Sequence, residues 1–206
     1  GRSDEMVFNH QSRGTSKKYA GKANVRNTLQ IYRSAARTQG KKMNYHSSDA
    51  LALSVLVEEA SGMPLSEFFF RNHYAKFGKS NYMQWTGDTV GTTVSFSELT
   101  MTARDWANFG KYLMDEIRSQ SCLGSYFNEG IVKSVIAGKK NGSKYGYQSW
   151  VFDVNGTPTM SLQGHGGQFM VLNTKTDTLL LLISISDKYK VGNLFNSINK
   201  LAENLH

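Results

Sequence analysis

The residues best suited to chemistry lie in two short stretches. In the first, Tyr45 and Ser47 come just before a strongly apolar helical segment. A phenolate at that place is stabilised by the positive end of the helix dipole. A serine there serves equally well as a plain N-cap, and a tyrosine before a helix is commonly a packing residue with a satisfied hydroxyl. In the second, Gly164-His165-Gly166-Gly167-Gln168 sits inside a run of strand character. Adjacent glycines let another backbone lie close along a strand edge, although they also mark simple bulges. The one Ser-x-x-Lys in the chain, Ser197-Ile198-Asn199-Lys200, falls opposite the apolar stripe of the last helix. Both of its side chains are expected to face solvent, and the match is read as chance.

Other chemistries find little support. The five histidines, His10, His46, His73, His165 and His206, show no H-x-H or H-x-x-x-H spacing, so no metal site is expected, and no cofactor. The single cysteine, Cys122, permits no internal disulfide and is read as a buried apolar filler. The net charge is +8, and all of the excess lies in residues 1–46, which carry 10 Lys/Arg against 2 Asp/Glu. Such clustering is one electrostatic footprint of a nucleic-acid or anionic-membrane binder, here over residues 13–42. No nucleic-acid-binding motif accompanies it, so a solvated basic surface, or one facing an acidic segment outside the chain, is the reading adopted.

The elements that position these residues follow from periodicity. At 206 residues and 39% apolar content the chain can bury a real core as one domain or two small ones. No run of about 18 apolar residues is present to span a bilayer, and a soluble chain is expected. It starts Gly1-Arg2-Ser3 without Met, so any targeting segment lies outside it and the compartment stays open. Helices are predicted over 24–37, over an apolar stretch capped by Ser47 or Ser48 and ending at Gly62, and from Pro64 to Phe77 before Gly78. The second of these is expected to be buried on most sides. Residues 79–100 read as a long loop with short strand pieces. Thr102-Ala103-Arg104-Asp105 has capping spacing and opens a helix from Trp106 to Met114. From residue 145 the period becomes that of strands: Tyr147–Asp153, an Asn155-Gly156 turn, Thr159–Leu172 and Thr178–Ile185, followed by an amphipathic helix from Val191 to Leu205. The chain is accordingly divided into 1–144, mainly helical, and 145–206, three antiparallel strands with a C-terminal helix.

Placed in this order, four landmarks resemble one family. Gly40 to Leu51, containing Tyr45-His46-Ser47, looks like the approach to the tyrosine motif of serine beta-lactamases and penicillin-binding proteins. Ser61-Gly62-Met63-Pro64-Leu65 is similar to the step that follows it, and Met101 to Gly110 resembles the downstream helix. Gly164-His165-Gly166-Gly167-Gln168 resembles the third motif as found in the class C lactamase, esterase and nylon-oligomer-hydrolase-like branch. The resemblance covers roughly residues 40–185 and implies acyl-enzyme chemistry on esters, amides or cyclic amides. It implies that Tyr45 shuttles the proton, Ser47 hydrogen-bonds substrate, His165 orients it along Gly166 and Gly167, and the Gln168 N–H forms half of an oxyanion hole.

The departure from the family lies in the nucleophile. The family's Ser-x-x-Lys stands well upstream of the tyrosine motif, and no such motif precedes Tyr45 here. The expected fold is therefore α+β and beta-lactamase-like, an antiparallel sheet flanked by helices plus a mainly helical region, lacking the N-terminal helix and first strands. Expected partners are a small-molecule or peptide-like substrate, the chain's own missing N-terminal segment, or a second copy, with nucleic acid excluded. The family slightly favours a periplasmic or extracellular setting. The rival reading is a non-catalytic ligand-binding protein of the same fold that keeps the pocket without the nucleophile.

Overall fold

The computed structural model describes residues 24–31, 43, 45–137 and 142–186, with 188, 196, 197 and 200. Two compact units divide at Asp105/Trp106, and each is described by itself.

The first unit is helical. Helix α1 (Val25–Ile31) lies within the predicted 24–37 helix, whose part after Ile31 falls outside the described residues. Helix α2 (Ser47–Ser61) ends at Gly62 in the left-handed conformation, φ 71°, whose N–H returns to the Glu58 carbonyl, as the Gly62 stop predicts. Its start differs from expectation. His46 takes the N-cap position with extended φ −136° and ψ 134°, so Ser47 and Ser48 are the first helical residues and neither is the cap. Its burial also differs: Ser48, Leu51, Ser54 and Glu58 face inward, whereas Leu53 and Leu56 are 44% and 65% exposed. Leu51 packs with Val25 and Val94 to make the small core of this unit.

The next helical segment runs through α3 (Leu65–Phe69), a π turn (Phe70–Tyr74) and α4 (Ala75–Phe77), stopping at Gly78 as predicted. The π turn brings Tyr74 into full burial. A Cβ at Gly78 would stand 2.4 Å from the Tyr74 ring, so only glycine fits beneath it. The long loop holds two short paired strands, β1 (Met83–Trp85) and β2 (Leu99–Met101). Helix α5 (Ala103–Ser119) opens with the foreseen cap, the Asp105 N–H donating to Thr102 Oγ1 at 3.1 Å, and runs past Met114 to Ser119.

The second unit holds α6 (Cys122–Val132) and a six-stranded antiparallel sheet in sequential order: β3 (Val135–Ile136), β4 (Lys144–Gly146), β5 (Ser149–Val154), β6 (Thr157–Gly164), β7 (Gln168–Asn173) and β8 (Thr178–Leu182). Three corrections follow. Helix α6 was not foreseen. Its Gly124 and Gly130 are contact points: a Cβ at Gly124 would lie 1.9 Å from the Glu116 carbonyl oxygen, and one at Gly130 would lie 2.8 Å from Tyr147 Cβ. The predicted strand Thr159–Leu172 is two strands, β6 and β7, folded back at His165-Gly166-Gly167. Cys122, expected as a buried filler, is exposed at the first turn of α6.

The sheet is apolar on both faces. Met160, Met170 and Leu172 pack with Leu113, Met114 and Ile117 of α5, while Phe152, Val154 and Val171 form a cluster with Leu180. Each fully buried side chain of this kind contributes about 1.5–3 kcal/mol. Strand β8 alternates between the same two clusters, Leu179 and Leu181 to one and Leu180 to the other. Yet it is the outermost described strand, and Leu182, Ile183 and Ile185 beyond its middle are exposed. The Asn155-Gly156 turn is present with φ 49° and 76°. The predicted C-terminal helix falls outside the described residues except for Asn196, Ser197 and Lys200, which are helical and exposed.

Candidate functional site

The six residues singled out in the sequence fall into two local groups, one in each unit. Tyr45 and Ser47 share the entry to α2. Tyr45 immediately precedes the cap residue and is 54% exposed, whereas Ser47 is half-buried in the first turn. With His46 holding the cap position, the Ser47 side chain is not consumed as the capping group.

His165, Gly166, Gly167 and Gln168 share the β6–β7 turn, which closes on the Gly164–Gln168 pair. His165 and Gln168 are exposed; Gly166 and Gly167 are buried. Both glycines have positive φ, 83° and 85°, which side-chain-bearing residues rarely adopt. The backbone lying against Gly166 is the chain's own: Ser186 N–H donates to the Gly166 carbonyl at 2.9 Å. A Cβ at Gly166 would stand 3.3 Å from Ile185 Cα and 3.4 Å from the Ser184 carbonyl oxygen. Gly166→Ala is therefore expected to lower stability by about 1–3 kcal/mol through left-handed strain, measurable as a shift in the urea midpoint at unchanged slope. An unchanged midpoint would show that the turn has another conformation open to it.

Two buried carboxylates were missed. Glu58 had been read as part of a helix end, yet it lies seven residues after Leu51 on the inward stripe of α2 and is only 5% exposed. Burial alone raises its pKa; the Leu65 and Thr93 N–H groups, at 3.0 and 3.1 Å, and Arg26 more than offset this and hold it below the usual glutamate range. Arg26 also binds Glu59 and donates to Thr92 Oγ1 at 3.1 Å, tying α1, α2 and the 88–93 loop together. A cleft of about 370 Å³ opens beside this network, lined by Arg26, Glu58, Glu59, Met63, Val90 and Thr92 among others.

The other is Asp105, in the first turn of α5 and fully buried. It does not complete the reciprocal capping box that its position suggested. Its carboxylate accepts instead from the Lys79 N–H at 2.8 Å, the Tyr74 hydroxyl at 2.8 Å, the Ser80 N–H at 3.3 Å and the Ser80 hydroxyl. Burial raises the pKa, but these donors prevail and keep the group ionised far below the ordinary aspartate range. The available signal was an acidic residue at a helix start followed at once by tryptophan. Both carboxylates are saturated by structural partners, so their chemistry is that of clamps. Among the described residues no group of three or more His, Cys, Asp or Glu is placed to hold a metal ion. No described helix is long and apolar enough to cross a membrane.

No family model matches the sequence, and no curated protein matches it. Among solved structures the chain is similar to one described as "Putative 6-aminohexanoate-dimer hydrolase from Bacillus anthracis", with a TM-score of 0.75 and 17% identity, over 98% of this chain and 55% of that one. The chain thus spans about half the length of the structure it matches. The likeness is one of fold alone: a mixed architecture of antiparallel sheets and helices, beta-lactamase-like in fold.

Proposed function

We propose that this chain supplies part of the active site of a serine hydrolase that acts by acyl transfer on esters, amides or cyclic amides, and that a polypeptide segment outside these 206 residues supplies the nucleophile. The observation that carries the reading is the superposition of nearly the whole chain on about half of a structure described as a 6-aminohexanoate-dimer hydrolase. The exposure of Tyr45, His165 and Gln168 supports it, because groups that meet a substrate must be reachable. Apolar surface exposed in each unit, at Leu53 and Leu56 of α2 and at Leu182, Ile183 and Ile185 at and after the end of β8, supports the outside segment. An uncharged edge is ordinarily paired or covered in a native protein, and β8 is at the edge of the sheet among the described residues.

In this reading the serine oxygen adds to the substrate carbonyl while its proton passes to the phenolate oxygen of Tyr45. The negative oxygen of the tetrahedral intermediate is held by the Gln168 N–H, and collapse expels the leaving group as it takes the proton back. Water then repeats the sequence on the acyl-enzyme. Ser47 hydrogen-bonds the substrate and His165 orients it.

The test is intact mass spectrometry after incubation of the purified protein, with every polypeptide that co-purifies, with a fluorophosphonate. The expected result is an adduct on a separate polypeptide and none on this chain. The second reading is a binding protein of the same fold. No adduct on any species from a folded sample would select that reading.

A further inference from the structure

The segment after β8 carries no motif, yet its backbone is seated against the glycine turn. Ser186 N–H donates to the Gly166 carbonyl at 2.9 Å and is shared with Ser184 Oγ at 3.3 Å. Ile185 Cα and the Ser184 carbonyl oxygen lie where a Gly166 side chain would begin, while the Ile185 side chain points out and is 92% exposed. The segment therefore meets the turn through backbone atoms and not through apolar packing. Three residues join β6 to β7, two of them glycines whose φ values are otherwise freely variable. A carbonyl pinned at Gly166 fixes the peptide plane between Gly166 and Gly167, and so sets the direction from which Gln168 leaves the turn.

We propose that Ser184–Ser186 is a positioning element for the His165–Gln168 turn, with the Ser186 N–H as the positioning group. This rests on the hydrolase reading only for its consequence: a freely rotating turn would aim the Gln168 N–H in several directions and weaken a preorganised oxyanion site. The local effect exists whether or not the chain takes part in catalysis.

The experiment compares Ser186→Pro, which removes the N–H, with Ser186→Ala, which keeps it, both in the full chain. Ser186 is exposed and outside the strands, so neither change removes core packing. The readout is the amide hydrogen exchange and ¹H–¹⁵N shifts of Gly166, Gly167 and Gln168, alongside Tm. The expected result for Ser186→Pro is exchange at Gly167 and Gln168 faster by tenfold or more, with Tm nearly unchanged, while Ser186→Ala matches wild type. Ser184→Ala, which removes the hydroxyl sharing the same proton, is expected to give a smaller shift in the same resonances. Unchanged exchange in Ser186→Pro, or equal acceleration across the whole sheet, would overturn the proposal. A separate assay decides the hydrolase reading: if the adduct test above fails while the exchange effect is present, the positioning role stands and the catalytic reading falls.

Discussion

Asp105→Ala is expected to destabilise the first unit by about 3 kcal/mol, the largest loss from any single polar substitution proposed for this chain. The carboxylate is fully buried, and among the described residues its partners are neutral donors: two hydroxyls and two backbone N–H groups. Truncation takes from the Tyr74 hydroxyl, at the base of the π turn, its nearest acceptor, leaving the Tyr82 carbonyl at 3.2 Å, and releases Lys79 and Ser80, which Asp105 ties to the start of α5. The Thr102 cap survives, since it uses the backbone of residue 105. Asp105→Asn keeps the shape but presents an amide N–H to groups that also donate, so it is expected to recover less than half of the loss. The pH dependence has a definite sign. The folded carboxyl is held far below its ordinary value, near 3.9 in an unfolded chain. Its contribution is fully present above about pH 4 and is lost as pH falls toward the folded value. The stability gap between wild type and Asp105→Asn is expected to be constant from pH 7 to 5 and to shrink below about 4. Urea denaturation at several pH values checks this, and a gap that widens in acid would contradict the assignment. A double-mutant cycle with Tyr74→Phe is expected to show strong coupling, since the two side chains share one hydrogen bond.

The second large effect is on activity. In the hydrolase reading, Tyr45→Phe is expected to reduce acylation by about 10²- to 10⁴-fold, the range in which a positioned proton-transfer group acts. Tyr45 is more than half exposed, so loss of its hydroxyl is expected to change stability by less than about 0.5 kcal/mol. That separation makes the measurement decisive: single-turnover acylation of the nucleophile-bearing assembly, with circular dichroism and Tm as folding controls. Acylation within threefold of wild type would remove Tyr45 from the proposed mechanism and leave it as a surface residue ahead of α2. A parallel loss of activity and Tm would make its role structural.

Much of the local structure is decided by residues close in sequence. Gly62 and Gly78 end their helices, Thr102 caps α5, and Asn155-Gly156 makes its hairpin, because each is a matter of backbone dihedrals or of a hydrogen bond spanning three or four residues. The antiparallel character of the sheet and the helical region before it follow from period alone. The tertiary structure decided the rest, for reasons that periodicity does not carry. Inside α6, Gly124 and Gly130 let neighbouring backbone and Tyr147 approach more closely than any Cβ allows. Leu53 and Leu56 are as apolar as Leu51 in the sequence, and only the packing of Val25 and Val94 selects which side of α2 is inward. Glu58 and Asp105 carry the charge of surface residues. They are buried because donors from residues 7 to 35 positions away, chiefly backbone N–H groups and a hydroxyl, meet them when the chain folds. The same holds at the candidate site. Sequence named His165 and its glycines but made them part of one strand; the positive φ of Gly166 and Gly167 and the Ser186 N–H, twenty residues on, make them a fixed turn.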